Sequence, residues 1–242
     1  MMKGNKIMVV EDESIIAEDI RMSLINNGYV VPSVVSMGET AIEKVKEDKP
    51  DLILMDIMLA GKMDGIETAT MIHSKFNIPV IYLTAYSDDK ILERAKITGP
   101  FGYLIKPFKD RELYVAVEMS LYKHKLEMEL KESKEFFENI MEGIVTGVWV
   151  TDKNDDIIYT NNGMKVIIPQ LVPGVKVLIT WEFFKPYYMR AKETLQPFHY
   201  EGVPFVISGK QPKYYSGWLV PRIEEGKFNG IICTIESIRT QT

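Results

Sequence analysis

Four short apolar runs in the first half of the chain each lead into a residue that can do chemistry. Ile7-Met8-Val9-Val10 is followed by Glu11 and Asp12. Asp51-Leu-Ile-Leu-Met closes on Asp56, Pro79-Val-Ile-Tyr-Leu is followed by Thr84, and Phe101-Gly-Tyr-Leu-Ile by Lys106. Such runs read as buried strands. In an open α/β sheet, ligands bind outside the carboxyl ends of the strands. Three carboxylates, a hydroxyl and an ammonium gathered there can hold a divalent cation and a phosphoryl group. Any one of them alone would be an ordinary strand-end or surface residue. The whole set, in this order, favours the functional reading.

The elements needed to position this set are legible in the same half. Strands are expected at 6–10, 29–34, 51–55, 79–83 and 101–105, each short and rich in Val or Ile. Between them, apolar residues recur at helical spacing over 14–26, 39–48, 64–76 and 88–98. Gly28 and Gly99-Pro100 supply stop signals. Strands alternating with helices make a parallel sheet covered on both faces. A long helical pattern then starts at Asp110, expected as its N-cap, and nothing stops it before Gly143. Leu126, Leu130, Phe137 and Ile140 form a stripe on it, either along a solvated linker or in a short coiled coil.

The second half has a different pattern. Val148–Thr151 and Ile157–Thr160 flank a polar turn and read as a hairpin. Asn161-Asn162 opens a short helix, and a mixed segment covers 163–195. Strands follow at 197–207, 212–221 and 229–238, with Gly209 and Gly226 in the turns. The order hairpin, helices, three strands predicts an α+β domain on an antiparallel sheet. The expected architecture is therefore α/β: a five-stranded, doubly wound, flavodoxin-like parallel sheet over 1–122, a connecting helix over 110–141, and an α+β domain over 142–242.

Composition sets limits. Of 242 residues, 46% are hydrophobic, as in folded globular chains. No run is long enough to span a bilayer, and the first residues lack a signal-peptide core. The single cysteine, Cys233, excludes an internal disulfide. A cytoplasmic location is the expectation. Residues 1–122 carry 14 basic and 19 acidic side chains, whereas 123–242 carry 15 of each. Neither half is the basic surface that nucleic acid demands.

With these residues in view, 1–122 resembles the receiver domain of two-component response regulators. The resemblance rests on Glu11-Asp12, Asp56, Asp64-Gly65, Thr84-Ala85, Tyr103 and Lys106-Pro107, in order and separation. The Leu59–Gly65 loop departs from the common pattern by one extra residue, which touches only the loop's shape. Residues 142–240 resemble a PAS domain through Gly147-Val-Trp-Val-Thr-Asp152, Asp156-Ile-Ile-Tyr-Thr-Asn161, and Gly226–Gly230 running into Ile235–Ile238. A receiver followed by a PAS-like module is an arrangement of the archaeal, methanogen type.

The receiver resemblance implies that Asp56 is the phosphoacceptor, attacking phosphorus as a carboxylate nucleophile. It implies Mg²⁺ held by Asp12, Asp56 and the Met58 backbone carbonyl, with Glu11 acting directly or through water. Lys106 would pair with phosphoryl oxygens and Thr84 would hydrogen-bond one of them. Thr84 and Tyr103 would form the switch pair, and Lys106-Pro107 a cis peptide bond. A cognate histidine kinase would donate the phosphoryl group. The output would pass through the PAS-like module to a downstream protein, with the transcription machinery as one candidate. A homodimer through 110–141 is expected, and membrane association is not.

Other classes fit less well. A DNA-binding regulator using the C-terminal module directly is the alternative, disfavoured by zero net charge and the lack of a helix-turn-helix pattern over 123–242. A haloacid-dehalogenase-type phosphatase would carry an Asp two residues after its nucleophile, where Met58 stands. Beyond self-phosphorylation and slow autodephosphorylation, no enzyme activity is expected. His199 reads as a surface or hydrogen-bonded strand residue and Cys233 as a small buried hydrophobe. No haem, flavin or other organic cofactor is expected in the second module. The aromatic segment 181–188 fills a core more readily than it lines a pocket.

Overall fold

The computed structural model describes residues 4–85, 99–169, 171–176, 184–205 and 213–237. It divides into two compact units, Met1–Lys131 and Glu132–Thr242. In the first, β1 (Ile7–Val10), β2 (Val34–Val35), β3 (Leu52–Asp56), β4 (Val80–Ala85) and β5 (Gly102–Lys106) form one sheet in the order β2-β1-β3-β4-β5. All pairings are parallel. Alternation along the strands divides their side chains between two cores. Ile7, Val9, Leu52, Leu54, Ile81 and Leu83 pack with α1 (Ser14–Asn26) and the start of α4 (Asp110–Gly143). Met8, Val10, Ile53, Met55 and Tyr82 pack with α2 (Gly38–Asp48) and α3 (Gly65–Phe76). This is the doubly wound sheet expected. The strand order reverses between β1 and β3, and the crevice outside their carboxyl ends is the binding position of such sheets.

Two local expectations need correction. The strand expected over 29–34 shrinks to Val34–Val35 plus one bridge between Lys6 and Val30. Pro32 lies between these pairings and has no N–H to donate to a ladder. Asp110 is not the N-cap of α4 but its first residue. Lys109 takes the flanking place: its carbonyl accepts from the Glu112 and Leu113 N–H groups, and its N–H donates to the Glu112 carboxylate. The helix expected over 88–98 and the turn at Gly209 lie outside the described residues.

α4 runs unbroken for 34 residues. Leu113, Val117 and Leu121 are buried on the first unit's core. Leu130 and Phe137 are 72% and 61% exposed. Among the described residues no helix is long and apolar enough to cross a membrane.

In the second unit β6 (Gly147–Thr151), β7 (Ile157–Thr160), β8 (Phe198–Phe205), β9 (Lys213–Glu224) and β10 (Lys227–Ser237) form an antiparallel sheet in the order β7-β6-β10-β9-β8. α5 (Asn162–Ile167) and α6 (Lys185–Thr194) cover one face. The Asp152 carboxylate accepts from the N–H groups of Asn154 and Asp156, which closes the β6–β7 turn. Glu225 and Gly226, both at positive φ (48° and 74°), make the two-residue turn into β10. Trp149, Phe184, Tyr188 and Tyr200 form the aromatic centre of the core, with Trp149 and Tyr188 stacked at 6.3 Å. Cys233 is buried in this core, which pushes its thiol pKa up. His199 is an exposed strand residue against Trp218, ring centroids 4.9 Å apart.

Candidate functional site

Asp56 is the last residue of β3 and almost fully buried. The ladder with β4 fixes its backbone: it pairs with Leu83, and the next N–H, of Ile57, donates to the Leu83 carbonyl at 3.1 Å. Its Oδ1 accepts from the Met58 N–H at 3.0 Å, which orients the carboxylate. Glu11 follows β1, where its N–H donates to the Val35 carbonyl at 2.9 Å. Its side chain points inward and is buried, whereas Asp12 is exposed. Carboxylate oxygens of Glu11, Asp12 and Asp56 lie within 4.8 Å of one another. Lys106, the last residue of β5, sends its Nζ to Asp56 Oδ2 and Glu11 Oε2, each at 2.6 Å.

Burial dominates the electrostatics at Glu11. It pushes the carboxyl up to about 7, and the Asp56 charge adds to this, while the Lys106 ammonium opposes it. Burial alone would lower the Lys106 pKa, but hydrogen bonds and charges from Asp56 and Glu11 outweigh it, and the net shift is upward. One ammonium thus pairs with two of the three clustered carboxylates. The oxygen-only donor set and the surplus negative charge fit a hard divalent cation such as Mg²⁺.

Thr84 stands at the neighbouring strand end, with its hydroxyl donating to the Ala85 carbonyl at 3.2 Å. Tyr103 lies one strand further, beside Tyr82, with centroids 5.9 Å apart, against the core shared with α2 and α3. The Lys106–Pro107 bond is cis. The structure therefore brings Glu11, Asp12, Asp56 and Lys106 together and leaves Thr84 and Tyr103 on the adjoining strands.

Some supporting residues carried only a faint signal in the sequence. A Cβ on Gly65 would collide with the Asp56 carbonyl oxygen, so only glycine lets α3 start this close to the site. The capping box of Asp64 and Glu67 holds that start in place. The sequence marks this position only as an Asp-Gly pair. In the second unit the fully buried Asn161 is a larger omission. Its Nδ2 donates to the carbonyls of Met141, Ile144 and Thr146, and its Oδ1 accepts from the N–H groups of Val148 and Met164.

Comparison with known proteins agrees with this geometry. Residues 7–118 match the family model of the response regulator receiver domain. The transcriptional regulatory protein PdtaR of Mycobacterium tuberculosis H37Rv is 35% identical over 116 residues, 48% of this chain and 56% of that protein. The chain thus spans about half the length of the curated relatives it matches. Among solved structures, the signal receiver domain of a modulated diguanylate cyclase from Desulfovibrio desulfuricans G20 is 38% identical with a TM-score of 0.50. The match covers 52% of this chain and 99% of that one. NtrX from Brucella abortus shares the fold at 24% identity and a TM-score of 0.50, over 53% of this chain and 29% of its own. The N-terminal part of the chain is a response regulator receiver domain, followed by an antiparallel-sheet domain of unassigned family. The acidic cluster Glu11, Asp12, Asp56 is typical of a receiver Mg²⁺ site.

Proposed function

We propose, with the receiver domain as premise, that this chain is a phosphorylation switch whose phosphoacceptor is Asp56. The observation that carries the reading is the double 2.6 Å contact of Lys106 with Asp56 and Glu11 beside Asp12. Phosphoryl transfer needs positioning and charge neutralisation above all. The Met58 N–H holds Asp56 Oδ1 and Lys106 holds Oδ2, the oxygen that attacks phosphorus as the bond to the donor breaks. Lys106 then exchanges a carboxylate for phosphoryl oxygens, and the Thr84 hydroxyl turns to hydrogen-bond one of them. Tyr103 follows Thr84. Mg²⁺ would be held by Asp12, Asp56 and the Met58 carbonyl, with Glu11 nearby, and would neutralise charge on the transferred group.

The donor is a cognate histidine kinase. Its approach is supported by a cleft of about 600 Å³ bounded by Ile16, Ile20, Met22, Lys106, Pro107 and Phe108, on the helix α1 that also carries the exposed Ile15. The second unit serves as a PAS-like output module of the archaeal receiver–PAS type. Its hairpin, helices and three closing strands support this, as does the strand order β7-β6-β10-β9-β8. It signals to a protein partner in the cytoplasm, with transcription machinery as the candidate, and the chain works as a homodimer through α4.

Incubation with acetyl phosphate tests the switch. Wild type should take up one phosphoryl group per chain only when Mg²⁺ is present, and Asp56→Asn should take up none. Equal uptake by Asp56→Asn would sink the assignment.

A further inference from the structure

We propose that Glu39 is a positioning residue for the cation site: it clamps the crown of the β3–α3 loop and so sets the tilt of the Met58 carbonyl. This rests on the reading above, in which that carbonyl is a Mg²⁺ ligand, and adds the group that steadies it from outside the loop. The loop is closed at its base. The Gly65 N–H donates to the Ile57 carbonyl at 3.0 Å, and the Met58 N–H donates to Asp56 Oδ1 at 3.0 Å. At the far end Asp64 caps α3, and the Leu59 side chain packs on the core shared with α2 and α3. Among the described residues, no hydrogen bond fixes the Met58–Leu59 peptide itself. A planar peptide between two anchored ends can still turn about the soft dihedrals on either side of it. A carbonyl that ligates a metal needs its orientation set by its surroundings.

Glu39 supplies that control. Its Oε1 accepts from the Lys62 N–H at 3.1 Å, which ties the crown to α2. Glu39 stands in the first turn of α2, where an acidic side chain ordinarily serves its own helix. Here the start of α2 carries no side-chain cap, and the carboxylate reaches the loop, 23 residues on in sequence, instead. Its Oε2 is buried without a hydrogen-bond partner among the described residues. That costs stability, which a first-turn acid with no other role would avoid by turning to water. Oε2 lies over Gly61, where a Cβ would stand 3.1 Å from it, and Gly61 has φ +152°, so both space and backbone call for glycine. The clamp has a rigid mount. Gly38, beside Glu39, packs so closely on Thr68 of α3 that a Cβ would collide with the Thr68 hydroxyl. That hydroxyl in turn donates to the Asp64 carbonyl at 2.8 Å. The starts of α2 and α3 and the loop after Asp56 therefore move as one assembly.

Three readouts on the full chain test this. Trypsin cleavage after the exposed Lys62, followed by mass spectrometry, reports on the crown directly. Glu39→Ala should speed that cleavage about tenfold, as expected for losing one hydrogen bond to a charged group. Mg²⁺ affinity by titration calorimetry should fall about tenfold, the low end for a group that supports a metal ligand. Acetyl phosphate labelling should need correspondingly more Mg²⁺ to reach half its maximal rate, with the maximal rate itself kept. Glu39→Gln retains the acceptor oxygen and removes the charge, so it should restore all three. Gly61→Ala, whose Cβ presses on Oε2, should reproduce the Glu39→Ala behaviour with Glu39 intact. Unchanged Mg²⁺ affinity in Glu39→Ala overturns the proposal. So does a Gln variant as weak as the Ala one, which would make Glu39 a distant charge and not a clamp. A wild type that binds no Mg²⁺ overturns the cation reading and this role with it, whereas a loss confined to the Glu39 comparison leaves that reading standing.

Discussion

Lys106 holds two carboxylates that would otherwise repel each other inside the protein, yet the site stays over-charged. Glu11 registers this, with its carboxyl held up to about 7 by burial first and by Asp56 second. In the unfolded chain it would release its proton near the ordinary 4.5. Between these values the folded state binds more protons than the unfolded one, so metal-free protein should lose stability as pH rises. We expect the Tm in chelator to fall by several degrees between about pH 5 and pH 8. Glu11→Gln should flatten that slope, and identical slopes in the two proteins would contradict this account. A divalent cation relieves the same repulsion. Asp12→Ala should therefore weaken Mg²⁺ binding at least about tenfold, roughly 1.4 kcal/mol, as titration calorimetry would show. Glu11, Asp12, Asp56 and Lys106 were legible in the sequence because each ends or follows an apolar run, and strand ends of a parallel sheet converge. Gly65 was not legible in this way, because its role depends on how closely α3 approaches the Asp56 carbonyl.

At the scale of elements, periodicity located β1, β3, β4, β5 and the helices between them within the described residues, because these are the faces that bury. It overstated β2, where Pro32 limits pairing more than apolar content promotes it. Asn161 shows a second limit. Nothing near it in sequence reveals that its amide joins the end of α4, the start of β6 and the first turn of α5. At about 1 kcal/mol per hydrogen bond, with a further penalty for buried groups left unpaired, Asn161→Ala should destabilise the second unit by about 3–5 kcal/mol. Denaturant unfolding followed by Trp fluorescence reads this unit directly, since all three tryptophans, 149, 181 and 218, belong to it. An unchanged midpoint would mean that these bonds are not what holds the segment.

Over the whole molecule, the uneven distribution of charge and the change of element pattern in the second half already signalled two modules of different character. The acidic half became the parallel-sheet receiver. The aromatic half closed around Trp149, Phe184, Tyr188 and Tyr200. The family of the second unit was less legible, because a hairpin, short helices and three strands constrain topology far more than they constrain residue types. The central claim for the molecule is that Asp56, among three clustered carboxylates, is the one that accepts the phosphoryl group. Borohydride reduction after acetyl phosphate treatment converts an acyl phosphate to an alcohol and so marks the modified side chain permanently. Peptide mass spectrometry should then find homoserine at position 56 and nowhere else, dependent on Mg²⁺ and lost on chelation. Homoserine at position 12, or unmodified Asp56 in a protein that has taken up phosphate, would contradict it.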